Sequence, residues 1–194
     1  MRILAFAASL RAASLNKKLI ALATSIAREG GVEVDLADFS EFDMPLYNGE
    51  VEKESGVPAG CTALVQRLVD ADALMLATPE YNFGYPGTLK NALDWVSRVR
   101  PMPLKGHICY LLSASPSMIG GLRGLWQLRQ PIEGLGTFVM PFMFSLPQAD
   151  KAFGEDSQLV DSTRSDTLNT QVQQFLETTA KLRREVASGA DATS

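Results

Sequence analysis

The sequence is poor in the residues that most side-chain chemistry requires. It carries one histidine, His107, and two cysteines, Cys61 and Cys109, among 194 residues. The cysteines form no C-x-x-C pair and are not clustered, so neither a zinc site nor a dithiol redox motif is readable. There is no G-x-S-x-G elbow, which leaves a Ser-His-Asp hydrolase without its nucleophile. G-x-G-x-x-G and the Walker A pattern are also absent. No apolar run approaches the ~18 residues of a membrane-spanning helix. Eighteen basic against 22 acidic residues give a net charge of −4, too little positive charge to coat a nucleic acid. Arg2 and the apolar residues 3–8 faintly mimic a leader peptide. That run is too short, Arg11 follows at once, and a first β-strand is the better reading. The expectation is a cytoplasmic protein with two free, buried thiols, with neither a membrane nor a nucleic acid as partner.

What is present suits one ordinary core. Hydrophobic residues make up 46% and charged residues 21% of the chain, enough apolar content for one sizeable domain of this length. Apolar runs at 2–7, 32–36, 73–78, 107–113 and 137–139 read as strands. Helical periodicity covers 15–29, 58–70, 86–99, 119–135 and 157–187, with Gly30, Gly31 and Gly136 placed where helices end. Alternation of this kind predicts a single α/β domain over 1–187, a doubly wound parallel sheet with helices on both faces. The small, polar residues 188–194 are expected to be a disordered tail. Two connections, 38–57 and 141–156, are longer than joining their neighbours requires.

Ligands of open parallel sheets bind outside the carboxyl ends of the strands, and three strand-to-helix loops there are distinctive. The first is Ala8-Ser9-Leu10-Arg11-Ala12-Ala13-Ser14-Leu15-Asn16. A helix N-terminus with Ser9, Arg11, Ser14 and Asn16 around it offers donors for an anion, although read alone it serves equally as a simple helix cap. The second begins Pro79-Glu80-Tyr81-Asn82-Phe83-Gly84-Tyr85-Pro86-Gly87 and runs on through Leu89-Lys90-Asn91 to Asp94-Trp95. It combines aromatics, an amide, a carboxylate and glycines that admit a ring close to the backbone. The third is Ser113-Ala114-Ser115-Pro116-Ser117-Met118-Ile119-Gly120-Gly121-Leu122-Arg123. His107 begins a strand at the opposite edge, and Glu80 has no partner carboxylate for acid–base work.

The P-E-Y-N-x-G-x-P-G-x-L-K-N-A-x-D-W block resembles the flavin loop of the NAD(P)H-dependent FMN reductase family, which includes flavodoxin-like quinone, azo-dye and chromate reductases. S-L-R-x-x-S-x-N resembles that family's FMN-phosphate loop, with Ala8 where glycine is usual. The third loop is similar to its G-A-S-P-G-x-x-G-G-x-R segment, with Ser113 and Ser117 in place of two glycines. The resemblance implies flavodoxin-like strand order 2-1-3-4-5 and bound FMN, with NADPH or NADH as co-substrate. It implies cofactor contacts from Ser9, Arg11, Ser14, Asn16, Pro79, Glu80, Tyr81, Asn82, Gly84, Ser115, Gly120 and Gly121, and Tyr81 and Tyr85 beside the ring or the substrate. No side chain is then expected to be catalytic, since the flavin ring carries the chemistry. The implied activity is ping-pong transfer to small molecules such as quinones, azo compounds, flavins or oxidised metal ions; the alternative is a non-enzymatic electron carrier. The family also forms homodimers or homotetramers. Trp95 and Trp126 fall off the core stripes of their helices, which fits either a subunit contact, the reading that the resemblance favours, or a wide buried face or burial under a long loop.

Overall fold

In the computed structural model, which describes residues 1–191, the residues resembling a leader form β1 (Arg2–Ala7) at the heart of the sheet. It pairs in parallel with β2 (Glu33–Asp38) on one side and β3 (Ala73–Ala77) on the other. Beyond β3 lies β4 (Ile108–Ala114), then β5 (Phe138–Val139), giving the order β2-β1-β3-β4-β5. Strands covered on both faces need apolar side chains throughout. Accordingly β3 and β4 are buried at every residue, whereas in the edge strand β2 Glu33, Leu36 and Asp38 are exposed and only Ala37 is buried.

Helix α1 (Leu15–Glu29) and α6 (Ser162–Asp191) cover one face, with Leu19, Val172 and Phe175 packed on Ile3, Met75 and Tyr110. On the other face α3 (Ala59–Val69), α4 (Gly87–Val96) and α5 (Leu122–Gly134) set Leu64, Leu93 and Leu125 among Leu4, Phe6 and Leu111. His107 sits at the far edge, where its Nε2 lies 2.8 Å from Leu68 O and 3.0 Å from Ala71 O, closing the end of α3.

Three expectations change. The fifth strand is two short pieces. β5 pairs with the start of β4, and β6 (Phe144–Leu146), inside the expected 141–156 loop, pairs with its end. Pro141 lies between them and has no N–H to give a ladder, so the pairing breaks there. The 38–57 connection is ordered by a 3-10 turn, Phe39–Phe42, and by α2 (Gly49–Ser55). The last helix starts at Ser162 and continues through residues 188–191 of the expected tail, while 192–194 lie outside the described residues.

The 38–57 connection also corrects the reading of Trp95. Its side chain is fully buried, and Nε1 donates to Pro45 O at 2.7 Å. Tyr47 packs edge-on against it at 5.1 Å between ring centroids. Asn91 pins the same segment, donating to Pro45 O at 2.9 Å and accepting from Tyr47 N at 2.8 Å. Trp95 leaves the core stripe to hold down this connection, not to meet another subunit. Trp95→Ala should therefore cost about 3–5 kcal/mol, the usual range for emptying a buried tryptophan site. Urea unfolding would read that loss, and light scattering should show no change in assembly.

Candidate functional site

The carboxyl ends of β1, β3 and β4 lie side by side, so the three loops leave the sheet from one edge. Ala8 N donates to Ala77 O at 2.8 Å, and Thr78 N to Leu112 O at 2.9 Å. Beyond those bonds the chains diverge into loops. Two side chains keep them in step. Fully buried Ser113 donates its hydroxyl to Thr78 O at 2.7 Å. Asn16 reaches from α1 to β4, where its Nδ2 donates to Ala114 O and its Oδ1 accepts from Ala114 N, both at 2.9 Å.

Asn16, an expected phosphate contact, thus also has a structural role. One Nδ2–H and the Oδ1 of its amide are used by the protein, while its second Nδ2–H and its backbone N–H meet no acceptor among the described residues. The rest of the first loop is open for one. Ser14 caps α1, accepting from Lys17 N at 3.4 Å, and its own hydroxyl proton remains available. Among the described residues, the backbone N–H groups of 12–16 meet no protein acceptor. Ser9 is buried beside them, and exposed Arg11 has no ion pair or side-chain hydrogen bond among the described residues. Unpaired donors, a helix dipole and a free guanidinium together form a cradle for phosphate. Ala8 has no left-handed φ, so its methyl group in place of a glycine's hydrogen is tolerated. Next to the cradle, Lys17 is not free: it bonds Asp38 at 2.8 Å, and with Ser40 it holds that carboxyl down at about 2.

The second loop is a tight turn. Tyr81 N donates to Gly84 O at 2.8 Å, and Gly84 N returns a bond to Tyr81 O at 3.0 Å. Asn82 and Phe83 between them adopt φ of 50° and 70°. The N–H groups of Glu80 and Asn82 meet no acceptor among the described residues, whereas that of Tyr81 is used within the turn. Pro79 is buried, Tyr81 and Phe83 are exposed, and Tyr85 is half-buried against the α4 side. Glu80 points away from the open edge. Its carboxylate, 7% exposed, accepts from Arg123 Nε at 2.7 Å and from the N–H groups of Arg123 and Gly124, each at 3.1 Å. It caps α5 and is not placed to exchange protons with a ligand.

In the third loop Gly120 and Gly121 have φ of 66° and 84°. A Cβ at Gly120 would stand 2.7 Å from the Leu146–Pro147 peptide, and one at Gly121 would overlap the Ser113 hydroxyl. The chain's packing on itself therefore accounts for both glycines. Ser115 bonds Leu146 O through its N–H at 3.1 Å, and its hydroxyl donates to Ser117 Oγ at 3.1 Å. Ser117 has no left-handed φ, so serine replaces glycine there without strain. Exposed Leu10, Tyr81, Phe83, Met118 and Ile119 surround the edge, beside a cleft of about 470 Å³ lined by Leu10, Phe39, Phe42, Asp43, Met44 and Leu46. The sequence reading assigned no role to Arg123, to the Ser113 hydroxyl or to the 12–13 backbone, although all of them lie within the loops it singled out.

Charge-accepting donors at one end and an apolar, amide-lined turn at the other fit a ligand with a phosphate and a flat ring. Relatives agree with that shape. Residues 1–151 match the family model for NADPH-dependent FMN reductase. A quinone reductase of Escherichia coli strain K12 is 34% identical over 180 residues, which cover 91% of this chain and 94% of the relative. An NAD(P)H-dependent FMN reductase of Pseudomonas aeruginosa is 33% identical over 175 residues, covering 89% and 92%. The solved flavoenzyme NAD(P)H:(acceptor) oxidoreductase of Paracoccus denitrificans superimposes with a TM-score of 0.78 at 29% identity, covering 93% of this chain and 97% of that one. With sheet order, loops and sequence in agreement, the chain belongs to the NADPH-dependent FMN reductase family and is an FMN-dependent NAD(P)H oxidoreductase.

Proposed function

We propose that this chain is a quinone-type reductase that takes electrons from NAD(P)H and delivers them to a flat small-molecule acceptor in a ping-pong shuttle. The observation that carries the reading is the unpaired anion cradle of residues 12–16 beside a ring-receptive turn, on an edge without an acid–base pair. FMN bound there supplies the chemistry, accepting a hydride equivalent from the nucleotide and passing the electrons to the second substrate. The chain's own work is to bind, orient and exclude water. Arg11, Ser9, Ser14 and the N–H groups of 12–16 hold the phosphate. The N–H groups of Glu80 and Asn82 would hold the ring's polar edge, and Pro79, Gly84, Ser115, Gly120 and Gly121 would frame the ring. The exposed apolar rim of Leu10, Tyr81, Phe83, Met118 and Ile119 favours an aromatic acceptor such as a quinone over a strongly hydrated ion.

The same reading includes self-association and a reducing, cytoplasmic setting. Trp126, Met118 and Ile119 lie exposed on or just before α5, a grouping that suits burial against a second copy. Cys61 and Cys109 are free and buried, and burial pushes the Cys61 thiol up to about 11, which keeps it protonated and unreactive at neutral pH.

Four measurements test the proposal. Arg11→Ala should weaken FMN binding by about 1.5–3 kcal/mol, the range for a hydrogen bond to a charged group, and leave riboflavin binding unchanged. Equal losses for both would move the phosphate elsewhere. Glu80→Gln should lower turnover by less than the roughly 10²-fold expected for loss of a general acid or base. Anaerobic mixing of the holoenzyme with NADPH or NADH should bleach the flavin absorbance, and a quinone added later should restore it; intersecting double-reciprocal plots would overturn the shuttle. Light scattering should give at least twice the 21.0 kDa chain mass, and a monomer at micromolar concentration would contradict self-association.

A further inference from the structure

Phe83 is the most strained residue at the ligand edge. A φ of 70° is uncommon for any side-chain-bearing residue and an outlier for a bulky one. Asn82, at 50°, tolerates the same region far better. Only two backbone bonds close the turn, and both lie within it. Such strain persists only where surrounding structure holds it in place.

The holding contacts come from α5. The Arg123 guanidinium lies over the Phe83 ring, with Cζ 4.2 Å from its centroid. The same group bonds the Glu80 carboxylate, which is also seated on the Arg123 and Gly124 N–H groups. The stack grips the apex of the turn and the carboxylate grips its base. Gly124 lets the two elements close up: a Cβ there would stand 3.3 Å from both Glu80 Cβ and Gly84 O. An ordinary surface ion pair would contribute little. Here the carboxylate is almost wholly withdrawn from water and capped by a helix N-terminus, so its bonds are charge-assisted and directional.

We propose that Arg123 is a positioning residue: by bridging Glu80 and Phe83 it keeps the 81–84 turn in its left-handed form and so preorganises the ring side of the flavin site. The inference rests on the reading that the ring lies against this turn. If the turn relaxes, the peptide between Tyr81 and Asn82 rotates, and the Asn82 N–H no longer points where the Glu80 N–H does. Affinity for the ring then falls by the fraction of time the turn is correctly shaped.

The test compares two ligands that share the ring and differ in phosphate. Arg123→Met keeps much of the stem and removes the guanidinium. It should raise the dissociation constants of FMN and riboflavin by the same factor, about tenfold if the turn is competent one-tenth of the time. Arg123→Lys, which retains a charge for Glu80, should recover part of that loss for both ligands. In the Arg123→Met background, Phe83→Leu should add little, because the stack is already gone. Melting of the apo-protein should stay cooperative throughout. Dissociation constants within twofold of the parent, or a loss for FMN alone, would overturn the proposal. Should Arg123→Met not fold, Glu80→Gln is read by the same two-ligand comparison and must give the same parallel loss. Failure of the parent protein to bind riboflavin at all would instead defeat the underlying placement of the ring.

Discussion

The site depends on a bond between parts of the chain 98 residues apart, the double hydrogen bond from the Asn16 amide to the Ala114 backbone. A parallel sheet aligns the ends of its strands but does not determine where the following loops go. Asn16 stands in the first turn of α1, and Ala114 is the last residue of β4. Joining them sets the anion cradle at a defined distance from the 115–121 loop. Both partners are buried, so losing the amide would leave a backbone donor and acceptor unpaired in an apolar setting, which costs more than the bond itself contributes. Ser113 does the same between β4 and β3 through Thr78 O. The three loops thus form one edge because two buried polar side chains tie them together.

These two residues also show where reading the sequence stops. The strands and most helices were legible because burial on both faces demands apolar runs, and helices repeat at their own period. The three loops were legible because strand-to-helix connections carry few residues without a reason. What the pattern could not reveal is which partner a polar side chain chooses. Asn16 stands among anion donors in sequence, yet its bonds go to a strand end nearly a hundred residues later. Trp95 lies off its stripe whether it faces a subunit or lies beneath a connection, and only the path of residues 38–57 decides. The split at Pro141 escaped for a related reason, since a three-residue strand such as Phe144–Leu146 is too short for alternation to show.

The two ends of the proposed FMN site are built on opposite principles. At the phosphate end the chain leaves its donors unpaired, and the cost of that is low while water can reach them. At the ring end it satisfies its own groups first: Glu80 is consumed by α5, Tyr81 N–H by Gly84, and the glycines by close packing. An open, solvated cradle suits a charged group that arrives hydrated and is gripped by many weak donors. A rigid turn suits a flat ring, whose affinity depends on shape and on a few well-aimed N–H groups.

That contrast explains how serine can stand where the resembled family motif has glycine. Neither Ser113 nor Ser117 occupies a left-handed position, and the hydroxyl of Ser113 fills the space left by the missing Cβ of Gly121 while bonding Thr78 O. A side chain added at one position is matched by one absent at another, and the backbone path is kept. Phe83 shows the opposite arrangement. It places a bulky residue where glycine would be unstrained, and the chain supplies a guanidinium to hold it. In the proposed flavin site, an aromatic ring fixed there would narrow and dry the approach to the cofactor. Restraint by Arg123 is then what allows this residue to form a wall of the site rather than a mobile side chain.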